Sequence, residues 1–134
     1  MLLNPDLDKA KARWEAWFNG TLKKGPIISI TAPLSKPRIT PFDIKKPDTI
    51  EERWTNIEYR ARAARNSIMS TWYGGDAVPT WHVNFGPGSI ASYLGSQTVF
   101  ADDTVWFRPL EDNSLENILR TIHYDENNRM WKIT

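Results

Sequence analysis

Apolar residues recur along this chain with two periods. Between residues 5 and 19, Leu7, Ala10, Trp14, Trp17 and Phe18 fall on one face of a helical repeat. Pro5 suits a first turn, Asp6 and Asp8 favour the positive helix end, and Gly20 is a stop signal. Pro26–Ala32 follows as a β-rich run bounded by Gly25 and Pro33. Alternation puts Ile28 and Ile30 on one face and Ser29 and Thr31 on the other. The helical period returns over residues 48–72, where Ile50, Trp54, Ile57, Ala61, Ala64 and Ile68 form a continuous stripe. Asp48 or Thr49 is placed to cap this helix, and Tyr59, Arg60, Arg62 and Arg65 sit largely off the stripe. Gly74-Gly75 ends it.

A second strand is predicted over Ala77–Phe85, with Pro79 removing a ladder donor. Gly86-Pro87-Gly88 then turns the chain into a short helix, Ser89–Leu94, ended by Gly95. Thr98–Phe100 and Thr104–Phe107 read as a hairpin about Asp102-Asp103. Ser114 caps a short helix to Leu119, Thr121–Tyr124 is ambiguous, and Asn127 or Asn128 opens a last helix through Met130, Trp131 and Ile133. Two strands joined by a long helix predict a parallel βαβ unit, and a parallel sheet needs further strands with helices on both faces. The expected architecture is therefore α/β, a partial TIM (β/α)8 barrel comprising an N-terminal helix and the first βαβ unit.

Residues 33–47 hold Pro33, Pro37, Pro41 and Pro47 in a long loop, made basic by Lys36, Arg38, Lys45 and Lys46 against Asp43. A solvated loop is the plainer reading, and guidance of a carboxylate-bearing substrate the sharper one. The 134 residues allow one domain, and a 40% hydrophobic content with seven Trp allows a real core. Trp14, Trp17, Trp54, Trp72, Trp106 and Trp131 read as core or interface. Net charge is +1, which exerts no general pull on nucleic acid or anionic membranes. The charge is divided, with 13 Lys/Arg against 8 Asp/Glu in residues 1–72 and 4 against 8 in residues 73–134. There is no cysteine, hence no disulfide framework or thiolate metal site. No apolar run approaches the ~20 residues of a membrane span, and the N-terminus lacks a signal-peptide pattern, so a cytoplasmic protein is the default expectation.

Candidate chemistry gathers at the predicted second strand. Parity puts Thr80, His82 and Asn84 opposite Trp81, Val83 and Phe85. In a barrel the polar set points inward near the C-terminal mouth, where barrel enzymes keep their sites. Ser29, Thr31, His82 and Asn84 are therefore the predicted substrate-binding residues; the alternative is that His82 and Asn84 satisfy buried backbone groups. No catalytic residue is assigned. Gly86-Pro87-Gly88 before a helix offers N–H groups to an anion, though a tight turn explains it as well. Asp76 reads as a turn or cap rather than an acid–base group, and Asp102-Asp103-Thr104 as a turn. With two His and no Cys, a transition-metal site built by this chain is not expected.

Several of these segments together resemble the N-terminal part of the uroporphyrinogen decarboxylase-like superfamily, which includes corrinoid-linked methyltransferases. They are Pro26–Pro33, Trp72–Pro79, Asn84–Gly88, Leu94-Gly95, Asp103–Phe107 and Asn127–Trp131. The resemblance implies a barrel enzyme acting on a small molecule, with a corrinoid protein as partner in the methyltransferase branch. It covers most of this chain but less than half of a family member. Asn84 stands nearest the place of the decarboxylases' catalytic aspartate, and Ala32–Arg38 stands where they carry an arginine-rich loop. The methyltransferases hold zinc through residues far downstream. The expectation is thus a fragment that binds no cofactor, is inactive alone and self-associates through exposed edges; the alternative is a small self-contained α+β binding module without catalysis.

Overall fold

The computed structural model describes residues 3–83, 85–109, 112 and 114–134. Contacts divide the chain into two units, residues 1–44 with 61–81 and residues 45–60 with 82–134.

The first unit begins with α1 (Leu7–Phe18), which keeps the predicted span. Only Ala10 is buried on it, whereas Trp17 and Phe18 are 51% and 75% exposed. Trp14, Trp17 and Phe18 pack on one another, with ring centroids 5.0–5.8 Å apart. Strand β1 (Ser29–Pro33) pairs with β2 (Thr71–Gly75) in an antiparallel register running from Ser29 opposite Gly75 to Pro33 opposite Thr71. The intervening chain folds back on itself. Leu34 N–H donates to Ser70 O at 2.8 Å and Arg38 N–H to Met69 O at 3.0 Å. The Arg38 guanidinium ties the same region to the Thr71 and Leu3 carbonyls. Asn66 clamps the proline-rich loop by donating to Phe42 O at 2.9 Å and accepting from Phe42 N–H at 2.8 Å.

The predicted 48–72 helix is two helices, α2 (Ile50–Thr55) and α3 (Ile57–Met69). Asn56 adopts an extended backbone, and its side chain accepts from Tyr59 N–H at 2.9 Å. An asparagine that bonds its own local backbone competes with the helix ladder, and here it caps a new helix. The unit boundary falls within α3.

In the second unit, α4 (Ser89–Tyr93) follows the Gly-Pro-Gly turn. Strands β3 (Thr98–Phe100) and β4 (Val105–Phe107) form the predicted antiparallel hairpin, closed by Ala101 N–H on Thr104 O at 2.9 Å. Ser114 caps α5 (Leu115–Thr121), and Asn128 caps α6 (Arg129–Ile133) by accepting from the Met130 and Trp131 N–H groups. The core is Phe85, Val105 and Met130, with Trp54, Tyr93, Phe100, Phe107 and Ile133 against it.

Mixed helix and strand is therefore correct, whereas the parallel βαβ unit is not. Among the described residues there are two separate two-stranded antiparallel sheets and no closed barrel. The described residues of 77–85 form no strand; β1 takes its partner from residues 71–75, which straddle the end of the predicted 48–72 helix and its Gly74-Gly75 stop. The physical reason lies in the connection. Because α3 ends at Met69 and the chain extends at once through Thr71-Trp72-Tyr73, it returns alongside β1 in the opposite direction. Among the described residues no helix is long and apolar enough to cross a membrane.

Candidate functional site

Of the four predicted site residues, two lie on β1 of the first unit and one in the second unit. Ser29 and Thr31 are exposed on one side of β1, opposite Gly75 and Tyr73. His82 is exposed and belongs to the second unit. Asn84 lies outside the described residues. Parity succeeded for Phe85, which is 1% exposed, but not for Trp81, which is 38% exposed. The inward face of a barrel strand needs a sheet on which to be inward, and the described residues of this segment join none.

The best-built polar site of the first unit lies where β2 ends. Gly75 has φ +59°, and a Cβ there would meet Ile28 O at 2.5 Å, so the turn requires glycine. Asp76 follows, 7% exposed. Its N–H donates to Ile28 O at 2.8 Å, and its Oδ2 accepts from Ile28 N–H at 2.9 Å. Its Oδ1 accepts from Arg13 Nε at 2.7 Å, and its carbonyl accepts from the Trp14 indole N–H at 2.8 Å. The Ile28 N–H, then the Arg13 hydrogen bond, hold the Asp76 carboxyl below the usual carboxylate range against a smaller opposing effect of burial. Lys9 adds a favourable charge.

Arg13 also donates to Lys24 O at 3.2 Å and Pro26 O at 2.8 Å, so one side chain ties α1 to the turn and to the entry of β1. Beneath it, fully buried Asn4 donates to Ala77 O at 2.8 Å and accepts from Asp6 N–H at 2.9 Å. Beside this knot is a cleft of about 280 Å³ lined by Asp6, Lys9, Ala10, Arg13, Gly75 and Asp76.

The turn reading of Asp76 describes its geometry; Asn4 and Arg13 carried no sequence signal because their partners lie 73 and 63 residues away. In the basic loop, Arg38 is a strut between backbone carbonyls, while Lys36, Lys45 and Lys46 are exposed. Gly86-Pro87-Gly88 is a turn, with Ser89 Oγ donating to Gly86 O at 2.7 Å and accepting from Phe85 N–H at 3.2 Å. The tryptophans are largely surface residues, Trp106 being 64% and Trp131 45% exposed, whereas Trp54 packs on the core and donates to Ala101 O at 2.7 Å. Arg60 lies over the Trp54 and Phe85 rings, 5.6 and 5.5 Å from their centroids, and burial lowers its pKa.

Among the described residues no three His, Asp or Glu side chains form a metal-holding group. Compared with protein-family models, curated proteins and solved structures, the chain matches none.

Proposed function

We propose that this chain is a structural part of a uroporphyrinogen decarboxylase-like enzyme, contributing a wall to a small-molecule site whose reacting groups come from elsewhere in the enzyme. One observation carries the reading: the segments on which the resemblance rests are those that organise each unit. Pro26–Pro33 and Trp72–Pro79 contain the paired strands and the Asp76 turn. Asn84–Gly88, Asp103–Phe107 and Asn127–Trp131 supply Phe85, Val105 and Met130, the buried apolar core of the second unit among the described residues. Exposure adds support, since large apolar residues such as Ile28, Ile30, Trp72, Trp106, Leu115 and Leu119 stand open among the described residues, as expected of faces that pack on more protein. With Asp76 committed to three protein bonds through its side chain and N–H, it serves as a fastening rather than a proton carrier.

The test is to assay decarboxylation and corrinoid-linked methyl transfer on this chain beside any longer product of the same locus. Turnover is expected only from the longer protein, and robust turnover by the 134 residues would refute the proposal.

A small α+β binding module without catalysis is the second reading. It is favoured by the antiparallel β1–β2 ribbon, which a barrel does not need, and by the cleft at its end. A monomer that unfolds cooperatively supports this reading; aggregation or strand exchange counts against it.

A further inference from the structure

The cleft beside Asp76 is electrically balanced, and that balance selects a ligand class. Asp6 and Asp76 supply two negative charges, and Lys9 and Arg13 two positive ones. A carboxylate has about four acceptor positions. Asp76 uses one for Ile28 and one for Arg13, which leaves capacity on a largely buried group that lines the cleft. Lys9 is exposed and joins no ion pair among the described residues; Asp6 makes no side-chain cap bond to α1. A simple anion drawn to Lys9 meets two carboxylates, and a simple cation drawn to Asp76 meets a guanidinium and an ammonium. A dipolar ion meets both signs favourably. The volume, about 280 Å³, lies below the roughly 300–1,000 Å³ of drug-sized sites.

We propose that this cleft binds a small zwitterion of α-amino-acid size, its ammonium on Asp76 and its carboxylate on Lys9. The inference rests on the binding-module reading. Binding is weak and salt-sensitive, because Lys9 and Asp6 face solvent.

The experiment is an NMR titration of the whole chain with glycine and L-alanine, and with acetate and methylammonium as the two half-ligands. The zwitterions are expected to shift the Ala10, Gly75 and Asp76 amides saturably, while the half-ligands do not. Lys9→Ala and Asp6→Ala, both at exposed positions outside the Asp76 bonds, test the site without dismantling it. Lys9→Ala should weaken binding about tenfold, the scale of one lost charge-assisted contact, and Lys9→Arg should restore it. Acetate titrating as well as glycine, an unsaturable response to zwitterions, or a Lys9→Ala protein that binds unchanged would each overturn the inference. A monomeric, cooperative chain whose cleft ignores zwitterions keeps the module reading and loses only its ligand; an associating chain loses the reading, while the titration still decides the ligand.

Discussion

The two units reach order by opposite means. In the first, the buried apolar side chains among the described residues are Ala10, Tyr73 and Ala77, two of them the smallest that carry a side chain at all. What fixes this unit is directional: Asn4, Arg13, Trp14 and Asp76 bond to backbone groups on different segments. In the second, Phe85, Val105 and Met130 pack with partly buried Trp54, Tyr93, Phe100, Phe107 and Ile133, and polar bonds cap helices and tie Trp54 to Ala101 around that core. Hydrogen bonds constrain geometry with modest net stabilisation, whereas apolar burial supplies stability with little directional preference. The difference teaches that a unit with little core can still hold a defined shape when each buried polar group has a partner.

Three measurements sharpen that contrast. The largest effect belongs to the apolar unit. Phe85→Ala should destabilise by about 3–5 kcal/mol in a thermal melt, because it removes the largest wholly buried apolar side chain and leaves a cavity. A loss below about 1 kcal/mol would mean that the second unit is not organised about this ring.

Asn4→Ala should come next, at about 1–3 kcal/mol, since it strands the Ala77 carbonyl and the Asp6 N–H. Amide hydrogen exchange should quicken around Ala77 and leave the amides beside Val105 unchanged. Equal quickening at both places would erase the distinction between the units.

The smallest effect is a pH dependence of the Asp76 turn in the first unit. The Asp76 carboxyl is held below its ordinary value, so its contribution is fully present above the unfolded-state pKa of about 3.9 and fades as pH falls through the lower folded value. Acid titration followed by amide shifts should release Ile28 before the β3–β4 hairpin. In Asp76→Asn the first unit should be weaker at neutral pH and should lose that acid-dependent step; an unchanged acid midpoint would show that other carboxylates govern it.

These contrasts also mark what was legible in the sequence. Helix α1, the 98–107 hairpin and the Ser114 and Asn128 caps depend on residues within a few positions of one another, and period and turn chemistry read them directly. The β1–β2 pairing joins residues about forty apart, where pattern has no hold. The Ile50-to-Ile68 stripe continued through Asn56 because periodicity registers apolar spacing and overlooks a polar residue that rewires the backbone locally. Alternation over residues 77–85 likewise reports which side chains prefer burial, not whether a neighbouring strand exists. The Gly-Gly-Asp turn was visible as a turn, but nothing local announces that Arg13 and Asn4 meet it.

Two indoles give this architecture an optical and isotopic consequence. Trp14 donates its ring N–H to Asp76 O in the first unit, and Trp54 donates to Ala101 O in the second. Each unit therefore owns an indole proton that solvent reaches only when its backbone partner lets go. The two ring protons act as separate clocks, so the opening of one half can be timed without hearing from the other.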